Sequence, residues 1–370
     1  MRRVIDNLKI DKTLLFLILA LLVFGIVIFL SASLGILPNN ELKFFIIIKS
    51  QLLYVFVFGL LALYIGSRIN YKYYKKYSII IFVLSLLFSL LVFLPAFNFY
   101  YNGAHRWIHI FGLSIQPSEI LKFASVNLVA FFCSKYSKKF SDLKIGLIPI
   151  SIFILIVSGI LLLQPDFGTL LVILLSSLLV FFIGGAKWRD IIILAISGIL
   201  IFFLLITIRP YMKERILTFI EPGRELLGSG YQLNQSLIAV GSGQMFGRGI
   251  GQSIQKFNYL PEQISDSIFA VYAEEMGFVG SVVLMLLFIF ITLRSVSISR
   301  YTEDDYGKLL AIGITSIFFF QAFLNISSTI GISPLTGVPL PLISKGGTSL
   351  VFLMFQFGVL LNISKYKMEV

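Results

Sequence analysis

The chain has 370 residues, of which 58% are hydrophobic and 13% charged, and its net charge at pH 7 is +12. A soluble domain of this length could not bury so much apolar surface, which excludes an ordinary soluble enzyme. The single cysteine, Cys133, excludes an intramolecular disulfide and a thiolate metal cluster. The composition therefore predicts an integral membrane protein.

Apolar runs long enough to cross a bilayer recur along the whole chain. A run of about 18 or more apolar residues is typical of a membrane-spanning helix. Since no soluble domain or internal repeat interrupts these runs, residues 1–370 are predicted to form a single all-α, polytopic membrane domain. We predict about ten spans, at 13–33, 44–66, 78–97, 117–134, 145–163, 168–184, 190–208, 267–293, 309–330 and 348–363.

The placement of positive charge predicts the orientation. With the N-terminus in the cytoplasm, every short inner loop is rich in Lys and Arg, as the positive-inside rule requires. Both termini are therefore predicted to be cytoplasmic. The excess of Lys and Arg determines the orientation of the protein in the membrane and does not indicate nucleic-acid binding. The longest outer loop, about 209–265, joins spans seven and eight. Because long structureless loops are uncommon, it is predicted to contain amphipathic helix or re-entrant structure.

Three carboxylates lie at or inside the mouth of span eight. Asp266 falls where the long outer loop meets the span, and Glu274 and Glu275 lie deeper, among apolar residues. Ionisable groups in such places are costly and are usually functional or paired. Asp266 is the candidate catalytic group, whereas Glu274 and Glu275 are expected to form internal ion pairs or to line a cavity.

A second polar group opens span four. Pro117 suits the first turn of a helix, and Glu119 and Lys122 are then three residues apart on one face. The two residues either form an ion pair that makes both charges tolerable or shape a polar pocket, and the two readings are compatible. Lys49 in span two either extends its ammonium group toward the interface or pairs with an acid such as Glu119.

Other polar residues in the outer segments have two interpretations each. Arg106 and Trp107 either anchor the chain at the interface or face an anionic ligand. Asp166 either caps the following helix or points into the cavity, and capping alone is the simpler explanation. The Pro- and Gly-rich segment 333–350 is predicted to form a re-entrant wall of the same cavity.

The residues alone indicate an outward-facing cavity that includes Asp266, Glu119 and Lys122. A carboxylate there could accept a proton from a hydroxyl, and nearby cations could hold the charge of a departing phosphate. The two histidines, His105 and His109, lack acidic or thiol ligands nearby, so no metal site is predicted. These features fit either an enzyme acting on a lipid-linked anionic substrate or a transporter.

Five stretches, taken in order, resemble the SEDS family (shape, elongation, division and sporulation). With the opening spans they cover nearly the whole chain. The family is known for polymerising lipid II into peptidoglycan strands outside the cytoplasmic membrane. The matching stretches are RWIHIFGLSIQPSEILKFA, QPDFGT, GYQLNQSLIAVGSGQMFGRGIGQ, LPEQISDSIFAVYAEEMGFVG and GVPLPLISKGGTSL.

The resemblance implies roles for individual residues. Asp266 matches the essential aspartate of the family, which is expected to deprotonate the 4-hydroxyl of the acceptor sugar, with inversion at the donor sugar and loss of undecaprenyl pyrophosphate. Glu119 and Lys122 are expected to organise the cavity, and Arg106 and Trp107 to contact pyrophosphate or glycan. A divalent cation such as Mg²⁺ on the pyrophosphate is compatible with this chemistry, but the sequence shows no ligand set for it.

Lys345 departs from the family pattern, in which a tyrosine is usual. It either touches substrate phosphate or sits at the interface, and with Lys49 and Asp166 it completes the predicted substrate-binding residues. Ser265 and Ser267 also depart, since many members have Thr and Phe on either side of the aspartate. These changes leave the carboxylate itself intact.

The opening stretch and QKFNYLPEQISDSIF resemble the division-type branch, FtsW, more than the elongation-type branch, RodA. A division role implies the septum of a bacterial cytoplasmic membrane. It also implies a partner class B penicillin-binding transpeptidase, alongside other division proteins. The alternatives are a RodA-type elongation polymerase, with elongation proteins as partners, and a lipid II flippase.

Overall fold

The structure is a computed structural model that describes residues 9–94, 98–101, 104–110, 113–140, 142–208, 210–221 and 229–366. Most of this part of the chain is helical. The α-helices of the described residues are, in order, α1 Lys12–Ser33, α2 Glu41–Leu53, α3 Leu60–Arg68, α4 Lys72–Lys76, α5 Ser78–Leu90, α6 Pro117–Tyr136, α7 Leu147–Leu163, α8 Phe167–Ile183, α9 Trp188–Ile208, α10 Pro210–Ile220, α11 Ser229–Ser242, α12 Ile268–Tyr301, α13 Asp305–Thr329 and α14 Gly347–Ile363.

The described part of each of the ten predicted spans is mainly helical. In the described residues, six helical segments are long and apolar enough to cross a membrane, and three apolar helices are shorter. The remaining span is α6, which carries Glu119 and Lys122. The prediction of an all-α polytopic membrane protein is confirmed, while the cytoplasmic placement of the termini stays a prediction. The six long segments are Lys12–Ile36, Glu41–Arg68, Trp188–Ile208, Ile268–Tyr301, Asp305–Thr329 and Gly347–Tyr366.

Several helices begin where a side chain satisfies the free backbone N–H groups of the first turn. Asp11 accepts a hydrogen bond from the backbone N–H of Leu14 at 2.9 Å and starts α1. Asp304 accepts one from the N–H of Gly307 at 3.0 Å and starts α13. Pro117 is the first residue of α6, as its sequence position predicted.

The centre of the bundle is formed by α6, α8, α13 and α14, whereas α9 lies at the periphery with most of its side chains exposed. α3 and α14 cross with their backbones in contact at small residues. A Cβ atom on Gly358 would lie 2.3 Å from the carbonyl oxygen of Leu63, and one on Gly66 would lie 2.4 Å from that of Phe355. Glycines allow membrane helices to approach this closely.

The end of the bundle that carries Asp266, here called the outer end, holds the irregular elements. A three-stranded antiparallel sheet forms from β1 Asn98–Tyr101, β2 Ala104–Ile110 and β3 Leu113–Ile115. The sequence had indicated only an outer segment here. The long outer loop contains α10 and α11, which confirms the helical structure predicted for it.

α12 changes direction about two and a half helical turns beyond its start, at Gly277. Gly277 has φ +65, a left-handed conformation that side-chain-bearing residues rarely adopt. A Cβ atom there would lie 2.3 Å from the backbone nitrogen of Gly247, so only glycine fits. The break lets the turn around Gly247 pack directly on the helix, and this turn leads the chain toward Asp266.

Candidate functional site

Asp266 lies in the irregular segment immediately before α12, and its backbone is held from two directions. The Nδ2 of Asn325 on α13 donates to the carbonyl oxygen of Asp266 at 2.9 Å. Ser344 Oγ donates to the carbonyl of the preceding residue, Ser265, at 2.6 Å, and the N–H of Lys345 donates to that of Ile264 at 2.7 Å. The carboxylate therefore projects from a backbone fixed between α13 and the segment 333–346.

A small cavity opens beside the Asp266 carboxylate, with a volume of about 40 Å³. This volume holds water but not a sugar ring, so a substrate must widen the cavity. Its walls come from α10, α11, α13 and the Pro- and Gly-rich segment. That segment therefore contributes to the wall as predicted, while its re-entrant position in the membrane stays a prediction. The lining residues are Arg215, Gln232, Asp266, Asn325, Ser328, Leu335, Gly337 and Val338.

The environment of Asp266 disfavours its charged form. Removal from water raises the pKa of Asp266 from 3.8 to about 6, and the charges of Glu262 and Asp166 act in the same direction. Arg215 and Arg106 act in the opposite direction. No salt bridge to Asp266 occurs within the described residues. A carboxylate with such a pKa can accept a proton near neutral pH.

Arg215, which sequence reasoning missed, reaches the cavity from α10. One of its guanidinium nitrogens donates to the carbonyl oxygen of Leu335. Gly337, at φ +69, lies between the two charged groups. A Cβ atom there would lie 3.5 Å from Asp266 Oδ2 and 3.6 Å from a guanidinium nitrogen of Arg215. The sequence did not single out Arg215, because the charged stretch around it is typical of a solvated helix face.

Glu119 and Lys122 form the predicted ion pair, at 2.8 Å, with both side chains almost fully buried. Lys122 Nζ also donates to Gln321 Oε1 at 2.7 Å. Gln321 Nε2 in turn donates to the carbonyl of Pro339 at 3.0 Å. The pair is thus linked through α13 to the cavity wall, but Glu119 and Lys122 do not line the small cavity itself.

Asp166 performs the predicted capping role and also joins two outer segments. It accepts from the N–H of Thr169 at 3.4 Å, from Ser118 Oγ at 2.9 Å and from Gln116 Nε2 at 3.1 Å. Its charge also reaches Asp266. It therefore belongs to the charged surroundings of the cavity without lining it.

Arg106 and Trp107 lie on β2, beside the chain that leads into α8. Arg106 donates to the carbonyl oxygens of Gln164, at 3.4 Å, and Pro165. Its charge lowers the pKa of Asp266, so the guanidinium group lies within electrostatic reach of the carboxylate. Trp107 is half-buried and pairs with Phe99 in the sheet.

Two lysines predicted to bind substrate lie away from the cavity. Lys49 is exposed on α2, and Glu119, one of the partners proposed for it, pairs with Lys122. Lys345 lies in the segment before α14, close enough to Glu262 and Lys43 for their charges to affect it. Lys345 is exposed, but partial desolvation beside the protein lowers its pKa, and the neighbouring ammonium group of Lys43 lowers it further.

Glu274 and Glu275 form the internal ion pairs that the sequence predicted. Glu275 accepts from Lys256 Nζ at 2.7 Å and from Ser31 Oγ at 2.5 Å. Glu274 pairs with Arg248 at 3.3 Å and accepts from Ser253 Oγ at 2.5 Å. Both carboxylates therefore fasten the segment that precedes Asp266.

The described residues contain no group of three or more His, Cys, Asp or Glu side chains arranged to hold a metal ion. Of the two histidines, His109 is exposed on β2 and the side chain of His105 lies outside the described ones. A resident metal therefore has no ligand set in this part of the chain, and the proposed Mg²⁺ on the substrate pyrophosphate stays a prediction.

Solved structures with the same architecture include one described as "Structural coordination of polymerization and crosslinking by a peptidoglycan synthase complex". The two chains superpose with a TM-score of 0.78 at 26% identity, over 96% of this chain and 97% of the other. The Thermus thermophilus rod shape determining protein RodA superposes with a TM-score of 0.70 at 23% identity, over 98% of each chain. At that identity the RodA match shows the fold alone.

Sequence relatives cover the chain almost completely. Stage V sporulation protein E of Bacillus subtilis is 35% identical over 96% of this chain and 97% of its own length. The probable peptidoglycan glycosyltransferase FtsW of Coxiella burnetii is 37% identical over 96% of each. Residues 12–369 match the FtsW/RodA/SpoVE family, described as "Cell cycle protein". The chain belongs to this family, which is the one that the sequence motifs resemble.

Proposed function

We propose that this chain is a peptidoglycan glycosyltransferase of the FtsW type, which polymerises lipid II on the outer side of the cytoplasmic membrane. The observation that carries the proposal is the Asp266 carboxylate, which has a pKa of about 6 and lines a polar cavity at the outer end of the bundle. The names of the relatives support the activity, since several are probable peptidoglycan glycosyltransferases FtsW.

In the proposed reaction Asp266 acts as the general base. It accepts the proton of the acceptor sugar's 4-hydroxyl as that oxygen forms a bond to the anomeric carbon of the donor sugar. The bond from that carbon to undecaprenyl pyrophosphate breaks on the opposite face, so the configuration inverts. Arg215 and Arg106, the two cations that act on Asp266, would offset the charge that develops on the leaving pyrophosphate.

The substrate must enlarge the cavity before it can react. The wall around Asp266 includes α10 and the segment around Gly337. Because Arg215 on α10 is attached to this wall through the carbonyl of Leu335, movement of α10 would open the cavity and carry the cation with it. Glu119 and Lys122 would meanwhile hold the segment around Gly337 in place, since Gln321 links Lys122 to the carbonyl of Pro339.

A division role and a transpeptidase partner follow from the same proposal. The relatives named FtsW favour the division branch over RodA, and the similar peptidoglycan synthase complex is described as coordinating polymerization with crosslinking. We infer that this chain acts with a class B penicillin-binding transpeptidase at the division septum. A pull-down of the tagged chain from dividing cells, with fluorescence imaging, tests both points.

Polymerisation of purified lipid II by the chain, with and without its cognate transpeptidase, tests the function. The wild type should produce glycan polymer, and Asp266→Asn should lose at least about 100-fold in rate, the lower range for a general base. Asp305→Asn is the matched control because that carboxylate is exposed at the opposite end of α13, and it should retain full activity.

Three outcomes would contradict the proposal. Polymer formation by Asp266→Asn at the wild-type rate would show that Asp266 is not the general base. Transfer of labelled lipid II across vesicle bilayers without polymer indicates a flippase. Absence of polymer from the wild type together with its partner indicates a scaffold without activity. Adding a chelator to the same assay tests the divalent cation on the pyrophosphate.

A further inference from the structure

Two side-chain amides lie one helical turn apart on α13 and hold the cavity wall. Gln321 Nε2 donates to the carbonyl oxygen of Pro339 at 3.0 Å. Asn325 Nδ2 donates to the carbonyl oxygens of Val338, at 2.8 Å, and Asp266, at 2.9 Å. The Asn325 amide thus joins the wall of the cavity to the backbone of the proposed general base.

The orientation of the Asn325 amide is fixed by these two contacts. Carbonyl oxygens only accept hydrogen bonds, so the atom that meets both must be the NH₂ nitrogen, and Oδ1 must point the other way. Asn325 is 1% exposed, and its Oδ1 has no hydrogen-bond partner within the described residues. The corresponding oxygen of Gln321, by contrast, accepts from Lys122 Nζ at 2.7 Å.

A buried acceptor without a partner costs free energy, so such atoms usually bind water or a ligand. Asn325 lines the same cavity as Asp266, but its Oδ1 is closed off from water in the substrate-free structure. The widening of the cavity that a sugar requires would expose this acceptor close to the proposed reaction centre. The amide oxygen is uncharged and suits a neutral donor, such as a hydroxyl or an acetamido N–H of an amino sugar.

We propose that Asn325 is a substrate-binding residue, whose Oδ1 accepts a hydrogen bond from a hydroxyl or acetamido N–H of the sugar that reacts at Asp266. This inference rests on the proposed function. The same side chain positions Asp266 through Nδ2, so one residue both orients the base and holds the sugar.

The test compares lipid II polymerisation kinetics of four variants of the full chain in complex with its transpeptidase. Asn325→Ala should raise KM for lipid II about tenfold, the effect of one lost hydrogen bond, and should also lower kcat because Asp266 loses its support. Asn362→Ala is the matched control. Asn362 is equally buried at the opposite end of the bundle, and its amide is used within the chain, by the Tyr71 N–H and the Ser67 carbonyl, both at 3.0 Å.

Asn325→Asp supplies a second readout, which reports whether the side-chain oxygen of residue 325 lies close to the Asp266 carboxylate. This variant keeps an acceptor oxygen but places a carboxylate in the cavity of Asp266, and a like charge raises the pKa of its neighbour. The acid side of the pH profile of kcat/KM should move upward by about one pH unit. The same substitution of Asn362 should leave the profile unchanged.

The outcomes separate this inference from the proposed function. An unchanged KM in Asn325→Ala, with or without a loss of kcat, shows that Oδ1 does not bind the substrate and overturns the inference. If Asn325→Ala unfolds or no longer copurifies with the partner, an unshifted profile in Asn325→Asp overturns it instead. Inactivity of the wild type, or full activity of Asp266→Asn, defeats the proposed function and is recognised before Asn325 is tested.

Discussion

Asp266 and the pair Glu274–Glu275 lie eight or nine residues apart in one stretch, yet in the described part of the chain the glutamates are paired with cations and Asp266 is not. Each of the two glutamates is buried against a cation and a serine hydroxyl. Asp266 has no salt bridge among the described residues, lines a cavity and has a raised pKa. The comparison separates carboxylates that hold the chain in place from one that is left available for proton transfer.

The two regions are also mechanically connected. Glu274 accepts hydrogen bonds from the backbone N–H groups of Ile254 and Gln255 at 3.1 and 3.2 Å. Lys256, fully buried, is fixed to Glu275. These contacts anchor the segment that runs on to Asp266, so the paired acids determine where the unpaired acid lies.

The largest expected effect comes from breaking the buried pair. Lys256→Met leaves the Glu275 carboxylate buried without its cation and should destabilise the folded protein by about 3–5 kcal/mol. Thermal unfolding of the detergent-solubilised chain measures this loss. The double variant Lys256→Met/Glu275→Leu replaces both charges with apolar groups and should recover most of the stability. Equal destabilisation in the single and double variants would show that the pair is not the cause.

Substitution of the unpaired acid, Asp266, should stabilise the folded protein rather than destabilise it. The folded-state pKa of Asp266, about 6, lies above the ordinary value of 3.8, so the folded protein binds the proton more tightly. The stability contributed by this group is therefore lost as the pH rises from about 4 to 6. At pH 7 Asp266→Asn should be more stable than the wild type, by about 1–2 kcal/mol.

Unfolding temperatures measured between pH 4 and pH 8 test whether Asp266→Asn is more stable than the wild type. The difference between Asp266→Asn and the wild type should grow as the pH rises and should level off above about pH 7. A variant that is destabilised as strongly as Lys256→Met would mean that Asp266 is a structural anchor like Glu275.

The smallest expected effect concerns the acid nearest to Asp266 in sequence. Glu262 is exposed, and its charge raises the pKa of Asp266. Glu262→Gln should move the acid side of the pH profile of kcat/KM downward, by less than about one pH unit because solvent and salt screen the interaction. Glu303→Gln, an exposed acid at the other end of the bundle, should cause no shift. An upward shift in Glu262→Gln would contradict the electrostatic description.

Local patterns in the sequence predicted the parts of the fold that depend on neighbouring residues. Hydropathy located ten segments whose described parts are mainly helical, and the spacing of Glu119 and Lys122 predicted their ion pair. The capping role of Asp166 follows in the same way from its position before α8. These features need no knowledge of tertiary structure, because each depends on residues a few positions apart.

The missed features depend on contacts between distant segments. The hydrogen bond from Asn325 to Asp266 joins residues 59 positions apart, and Arg215 reaches the cavity through a carbonyl 120 positions away. A signal for Asn325 was present, since Gln321 and Asn325 are polar residues at helical spacing inside an apolar span, where such residues are usually functional. The sheet of residues 98–115 was missed because its strands are short.

The pH dependence of lipid II polymerisation by the wild-type chain with its transpeptidase tests the central claim most directly. If the Asp266 carboxylate is the general base, kcat/KM should fall as the pH is lowered and should reach half its maximum near pH 6, where Asp266 becomes protonated. A rate that stays constant from about pH 8 down to pH 5 would show that no group with this pKa accepts the proton.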